Sequence, residues 1–304
     1  MEELISVVIA TYKREKELER SIKCVLNQTY KNIEIIVVDD NGLNSLWQLQ
    51  VQKLMEKYKN HNNIKYIINE SNMGGSLTRN VAIENAKGAY IAFLDDDDEY
   101  YPTKLEKQIN LFKESNNPKL ALVYCYTDSY DENNKKLYEY RYDYRGNCLV
   151  DAMYDCIAAT SQWLCRKECL LEVENFTDVP CKQDSTVIIK LLNKGYEVDR
   201  VPEVLLRYNE HSNIRISAGG IKNIKGEKLL RDFCRSLYYK LESYQILQVE
   251  VSFSFRLSKL YIKNKLSNEL YVEMKTLKLV NKKMWLKILV YYYLKKHMKF
   301  LNKK

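Results

Sequence analysis

Two β-branched runs in this chain stop abruptly at clustered aspartates. Ile33-Glu34-Ile35-Ile36-Val37-Val38 runs into Asp39-Asp40, and Ala89-Tyr90-Ile91-Ala92-Phe93-Leu94 runs into Asp95-Asp96-Asp97-Asp98. Short apolar runs of this kind read as buried strands. In an open α/β sheet, ligands bind beyond the carboxyl ends of the strands, so carboxylates at two such ends constrain the fold and the site together. Four consecutive aspartates repel one another unless a cation neutralises them, and hard oxygen ligands suit Mg2+ or Mn2+ better than zinc. The competing reading is a solvated acidic loop, or a set of helix caps ahead of Pro102.

The surrounding pattern fits a sheet covered by helices. Residues 5–10 read as a first strand, and residues 14–27 carry Leu18, Ile22, Val25 and Leu26 on one helical stripe. Residues 46–59 and 76–86 read as further helices, and residues 64–68 as a strand between them. Pro102 starts a helix that runs to about residue 115, and residues 120–126 make another strand. This alternation predicts the α/β class, with a mostly parallel sheet flanked by helices. Residues 128–155 are polar and tyrosine-rich with weak period. Residues 158–166 and 197–208 are strand-like again, around a helix at about residues 184–193.

After about Ile221 the chain becomes nearly glycine-free and helical, with Leu229, Leu230, Phe233, Leu237 and Leu241 at helical spacing. Ser217-Ala218-Gly219-Gly220 marks the change, which divides the chain into residues 1–217 and a helical C-terminal region, 218–304.

The net charge of +8 suggests nucleic acid until its location is considered. Residues 281–304 hold eight lysines and no acidic residue. The tail therefore accounts for the excess, and no nucleic-acid partner is expected. Its apolar and aromatic stretch, residues 284–294, is too short to span a bilayer. A basic helix of this kind can lie in a headgroup layer, which predicts peripheral membrane contact, or it can pack on the domain with its lysines in water. Nothing near Met1 resembles a signal peptide, which predicts a cytoplasmic location. The eight cysteines show no CxxC pair and read as reduced thiols. Cys165, Cys169 and Cys181 fit no standard zinc spacing.

The segments SVVIATYKRE, IEIIVVDDNG and NMGGSLTRNVAIENAKGAYIAFLDDDDEYYPTKLEKQ resemble, in order and spacing, the blocks of family 2 inverting glycosyltransferases of the glycosyltransferase A fold. The resemblance spans about residues 4–215. It implies a nucleoside-diphosphate sugar donor, with UDP-sugars favoured, a glycan or lipid-linked acceptor, and a role in bacterial surface polysaccharide synthesis at the inner face of the membrane. By the same resemblance Thr11 and Tyr12 line the base pocket, Asp40 bonds the nucleobase, and Arg79 lies near base and diphosphate. Asp95, Asp96 and Asp97 match the metal-binding motif, with Asp96 facing the ribose and Asp97 ligating Mn2+ or Mg2+.

Inversion needs a carboxylate to deprotonate the acceptor hydroxyl. Asp184, beside Gln183 at the start of a helix, occupies the position of the family's base, where Gln183 replaces the commoner Glu. A helix-capping role is the alternative. His211 resembles a histidine that approaches the metal, or it is an ordinary surface or core residue. Trp163 resembles an acceptor-facing position, and filling the core is equally open to it. Tyr12 in turn could pack under its loop. A sugar nucleotidyltransferase usually carries a glycine-rich phosphate loop after the first strand, and Ala10-Thr11-Tyr12-Lys13-Arg14 has no glycine. A non-catalytic scaffold on the same fold is opposed by the presence of Asp97 and Asp184.

Overall fold

The computed structural model of the chain describes residues 2–210 and 220–301. The chain divides into two compact units. One comprises Met1–Leu149, Ile157–Asp178 and Thr186–Ser212, and the other comprises Val150–Cys156, Val179–Ser185 and Asn213–Lys304. The division is not a single cut, because two short segments of the first two-thirds belong with the C-terminal region. The boundary expected between residues 217 and 218 lies outside the described residues.

The first unit is built on a nine-stranded sheet. Its leading half holds β1 (Ile5–Thr11), β2 (Ile33–Asp39), β3 (Ile64–Ile68) and β4 (Tyr90–Asp95), all parallel, in the order β3-β2-β1-β4. β1, β2 and β4 are mainly apolar and buried, as strands inside a helix-covered parallel sheet are, whereas the edge strand β3 carries Lys65 and is only partly buried. The connections are α1 (Glu15–Leu26), α2 (Leu46–Met55) and α3 (Gly75–Asn85). Leu18, Ile22 and Val25 of α1 pack with Ile5, Val7 and Ile9 of β1, as the helical stripe predicts.

The sheet's second half departs from the mostly parallel expectation. A two-residue strand β5 (Glu99–Tyr100) precedes α4 (Lys104–Ser115), β6 (Leu120–Tyr130) and β7 (Lys136–Tyr140). After α5 (Leu149–Tyr154) come β8 (Leu164–Arg166), α6 (Lys167–Glu172), α7 (Gln183–Asn193) and β9 (Glu197–Asn209). β8 runs antiparallel between β4 and β6, while β9 is parallel to β6 and antiparallel to β5. The sheet is thus mixed. The tyrosine-rich segment, without an apolar period to mark it, contributes β7 as an antiparallel partner of β6.

The second unit contains α8 (Ile221–Ser236), α9 (Ser243–Asn264), α10 (Ser267–Val280) and α11 (Lys282–Leu301). Ile224, Leu257 and Tyr261 form one of its cores, and Val251, Leu277 and Ile288 another. Arg231 and Arg235 bracket Glu250, and burial is outweighed by these charges, so the Glu250 carboxyl is held down at about 2. α11 therefore packs one face through Ile288 while Leu286, Val290, Tyr292, Tyr293 and Leu294 stay exposed. No helix among the described residues is long and apolar enough to cross a membrane.

Two positions in the first unit give direct tests of this packing. Gly88 lies where β4 approaches β1, and a Cβ there would meet Leu4 O at 2.6 Å and both Ser6 N and Ser6 Oγ at 2.7 Å. Its N–H also donates to Ser6 Oγ at 2.8 Å. Gly88→Ala is expected to destabilise the protein by about 1–3 kcal/mol in denaturant unfolding, as overpacking does. Lys104 is wholly buried, with Nζ 2.8 Å from Gln108 Oε1 and 3.9 Å from the Tyr100 ring centroid. Burial pushes its pKa down to about 8. Between about pH 8 and the unfolded value of 10.5 the unfolded chain holds one proton more than the native one. Wild-type stability relative to Lys104→Met should therefore rise across that window, by on the order of 3 kcal/mol, when unfolding is measured at both ends.

Candidate active site

The strand order β3-β2-β1-β4 reverses direction at β1, which makes the carboxyl ends of β1 and β4 a topological switch point. Register aligns those ends. Thr11 sits opposite Asp39, and Ala10 opposite Asp95. The residues expected to bind a nucleotide are therefore brought to one edge by the hydrogen-bond ladder itself.

The four aspartates are sorted by a turn. The Asp98 N–H donates to Asp95 O at 3.0 Å, which folds the segment back and sends alternate side chains in opposite directions. Asp96 and Asp98 turn inward and are buried, whereas Asp95 and Asp97 remain partly open. The turn's carbonyls are held from several sides. Ser21 Oγ of α1 donates to Asp96 O at 2.9 Å and Asp98 O at 3.0 Å, and Asp97 O accepts from Arg20 Nη2 at 3.0 Å and Asn209 Nδ2 at 2.8 Å.

Arginines supply the charge balance. Arg14 Nη1 lies 2.9 Å from Asp96 Oδ1 and 2.6 Å from Asp97 Oδ2. Burial opposes the guanidinium charge, but Asp97 and Asp96 outweigh it and hold the Arg14 pKa above its ordinary value. Arg79 Nη2 lies 2.5 Å from Asp95 Oδ1, and its guanidinium rests on the Phe176 ring at 5.6 Å. Burial and then the neighbouring Asp97 charge push the Asp96 carboxyl up to about 7, against the pull of Arg14 and of Thr11, whose Oγ1 donates to Asp96 Oδ2 at 2.8 Å. Burial, then Asp97 and Asp95, raise Asp98 well above the carboxylate range, and Ser161 Oγ donates to it at 2.7 Å. Ser161 also accepts the Asp95 N–H at 3.0 Å, so one hydroxyl ties both ends of the turn.

Asp40 is otherwise engaged than a free base-reading carboxylate would be. It is 4% exposed and accepts from Asn69 Nδ2, Asn72 Nδ2, Met73 N and Gly74 N, at 2.8 to 2.9 Å. These bonds fix the loop leading into α3, where Gly74 takes a left-handed φ of 82°. Asp39 does similar work, accepting from Asn41 N, Asn41 Nδ2 and the Tyr66 hydroxyl. Tyr12 is 44% exposed and stands clear of the loop, with Lys13 Nζ 4.8 Å from its ring centroid.

Trp163 is corrected by the structure. It is fully buried, stacks on Phe176 with centroids 6.1 Å apart, and meets Phe93 edge-on, so it fills the core and does not present a face to an acceptor. Asp184 and Gln183 open α7 within the second unit. Asp184 is half-buried, accepts Ser185 N–H at 2.7 Å, and has the Cys156 thiol 3.7 Å from Oδ2. Burial and then the Asp184 charge raise the Cys156 thiol pKa. His211 lies outside the described residues.

Among the described residues, no cluster of three or more His, Cys, Asp or Glu side chains forms a cage for a metal ion. Mg2+-type sites commonly use one or two carboxylates and complete their coordination with water and substrate phosphate. The open Asp95 and Asp97 carboxylates fit that donor set, with Arg14 holding Asp97 as counter-ion. Sequence alone assigned Arg14, Ser21, Asn72, Ser161 and Asn209 no individual role, and placed Asp98 in the acidic run without showing that it is buried. A signal for Arg14 was present, since it ends the loop that follows the first strand.

Asp40→Asn should leave backbone donors of the Asn72–Gly75 segment facing an amide. A loss of about 1–3 kcal/mol is expected in denaturant unfolding, together with faster proteolysis within that segment.

The family model described as Glycosyl transferase family 2 matches residues 6–170. The uncharacterized glycosyltransferase MJ1057 of Methanocaldococcus jannaschii is 29% identical over 251 residues, covering 78% of this chain and 83% of that protein. The Escherichia coli UDP-Glc:alpha-D-GlcNAc-diphosphoundecaprenol beta-1,3-glucosyltransferase WfaP is 38% identical over 111 residues, 36% of this chain and 42% of its own length. The fold is similar to that of S. aureus TarS, solved with UDP-GlcNAc, with a TM-score of 0.65 at 16% identity over 96% of this chain and 81% of that one. With the family model covering more than half of its length, the chain belongs to glycosyltransferase family 2.

Proposed function

We propose that the chain is an inverting glycosyltransferase that moves a sugar from a UDP-sugar to a glycan or lipid-linked acceptor at the cytoplasmic face of a bacterial membrane. The observation that carries this reading is the convergence of Thr11, Arg79 and Asp95–Asp97 at the switch point of the parallel half-sheet. The names of WfaP and TarS support it, since both carry UDP-sugars in their descriptions and WfaP a diphosphoundecaprenol acceptor. The exposed apolar side chains of α11, between lysines, support contact with a lipid surface.

In this reading Thr11 and the exposed ring of Tyr12 border the base, and Asp40 shapes that pocket through the loop it holds. Asp96 serves the ribose side, and Arg79 the diphosphate. Asp97, with Asp95 beside it and His211 as a further candidate, would hold Mn2+ or Mg2+. The ion would stabilise the charge that grows on the departing diphosphate. Asp184 is the base: it takes the acceptor hydroxyl proton as that oxygen bonds to the anomeric carbon, while the bond from that carbon to the diphosphate oxygen breaks and the electron pair leaves with UDP. Attack from the face opposite the leaving group inverts the anomeric centre. Gln183, uncharged where a Glu is commoner, leaves Asp184 as the sole acid of the pair.

Thermal unfolding with nucleoside diphosphates and their sugars, with and without Mn2+, tests the donor site. UDP at about a hundred times its dissociation constant should add about 2.7 kcal/mol, and Asp97→Asn should lose the Mn2+-dependent part. Asp184→Asn should keep the nucleotide shift and lose transfer by about 10²- to 10⁴-fold, as removal of a general base does. If no nucleotide stabilises the wild type, the donor site is refuted. If Asp184→Asn transfers normally, the base is elsewhere.

A further inference from the structure

The residues just before Asp184 are held in an uncommon conformation. Lys182 takes a left-handed φ of 65°, which a residue bearing a side chain rarely adopts unless its surroundings impose it. Part of those surroundings is α8. A Cβ on Gly226 of that helix would meet Cys181 Sγ at 2.2 Å, Cys181 O at 3.0 Å and Cys181 N at 3.2 Å, so only a glycine lets the helix backbone lie against this segment. Cys181 Sγ in turn lies 3.8 Å from the carbonyls of Lys222 and Asn223 in the first turn of α8.

The next residue of α8, Glu227, is 2% exposed, and its carboxylate is met by two cations. Lys182 Nζ lies 3.5 Å from its Oε2, and Arg256 of α9 pairs with its Oε1. Arg256 is anchored separately, donating from Nη1 to Tyr154 O and to Ser252 Oγ, each at 2.6 Å. A carboxylate buried this far needs such partners, but one carboxylate does not balance two cations.

The balance is completed by Asp184. Burial opposes the Lys182 charge, yet Glu227 and then Asp184 outweigh it and hold the ammonium's pKa above its ordinary value. Two cations and two carboxylates thus make a neutral set, in which Lys182 is shared between a buried anion and the proposed base. The Cys156 thiol, 3.7 Å from Asp184 Oδ2, adds no charge, because burial and then Asp184 raise its pKa.

We infer that Lys182 and Glu227 are positioning residues for Asp184, with Glu227 of the C-terminal helices fixing the Lys182 ammonium and that ammonium fixing the carboxylate at the start of α7. The inference rests on the reading of Asp184 as the base, and it assigns the C-terminal helices a part in transfer.

The test follows UDP release from UDP-glucose and UDP-N-acetylglucosamine by the full chain, with water as acceptor. The water oxygen bonds to the anomeric carbon and Asp184 takes its proton, while the bond from that carbon to the diphosphate breaks and its electron pair leaves with UDP. Lys182→Met and Gly226→Ala should each lower kcat by about ten- to hundredfold, with the donor KM and the UDP-induced thermal shift unmoved. Lys182→Arg, which keeps the charge, should recover most of that loss. Glu227→Gln should match Lys182→Met, and the latter, at a partly exposed side chain, carries the test if an unpaired Arg256 keeps the glutamine variant from folding. Backbone hydrogen exchange gives a readout independent of turnover: exchange over Val179–Ser185 should quicken in Lys182→Met while β1 and β4 keep their protection. Unchanged exchange in that segment, equal loss in Lys182→Met and Lys182→Arg, or a raised donor KM at unchanged kcat overturns the positioning role. Asp184→Asn that releases UDP as fast as wild type would instead remove the base itself, and this role with it.

Discussion

The first unit depends on a way of keeping four adjacent carboxylates at one strand end without unfolding it. Their charge is countered by Arg14 and Arg79, and their backbone is anchored by Ser21, Arg20 and Asn209. Burying ionised carboxylates is costly unless they are paired or protonated. The turn divides the problem. Asp96 and Asp98, sent inward, have their carboxyls raised toward the protonated form, whereas the more open Asp95 and Asp97 sit against guanidinium groups. A buried pair and a more open pair are thereby made from one tetrad.

That division requires the strand register. Because β1 lies between β2 and β4 with both pairings parallel, the loops leaving all three strands emerge at one edge. Arg14 arrives from the loop after β1, Asn72 and Gly74 from the loop before α3, and Ser161 from the segment that enters β8. Each contributes to holding acidic groups that belong to other elements. The site is a property of the sheet's edge and not of any one motif.

The second unit shows a similar economy with different chemistry. Its C-terminal helices are joined by Arg231, Arg235 and Glu250 in an ion-pair network and by small apolar cores, and Gly226 lets α8 come close to Cys181. Asp184 is placed in this unit by the segment Val179–Ser185, even though α7 continues into the sheet's unit. α11 packs one face through Ile288, while the residues around Tyr292 face outward.

The leading half of the fold was legible because its strands are buried on both sides and its helices on one, which writes two different periods into the residues. Ile33–Asp39 and Tyr90–Asp95 were marked by largely apolar runs with acids at their ends, and Leu18, Ile22 and Val25 by their spacing. β7 was not legible, since its tyrosines alternate with charged residues and no apolar run marks the strand. Trp163 could not be assigned from sequence, because a large ring serves a core and a sugar equally well until its burial is known.

By itself the sequence determined the parallel half-sheet, the acidic strand ends and the basic helical tail, all of which follow from local pattern and charge. Only the tertiary structure decided which aspartates are buried, that Asp40 is occupied with the Asn72–Gly75 loop, and that Arg14 guards Asp97. Those outcomes depend on donors brought from residues distant in the chain, and no local pattern records which strand's end a given arginine or serine will meet.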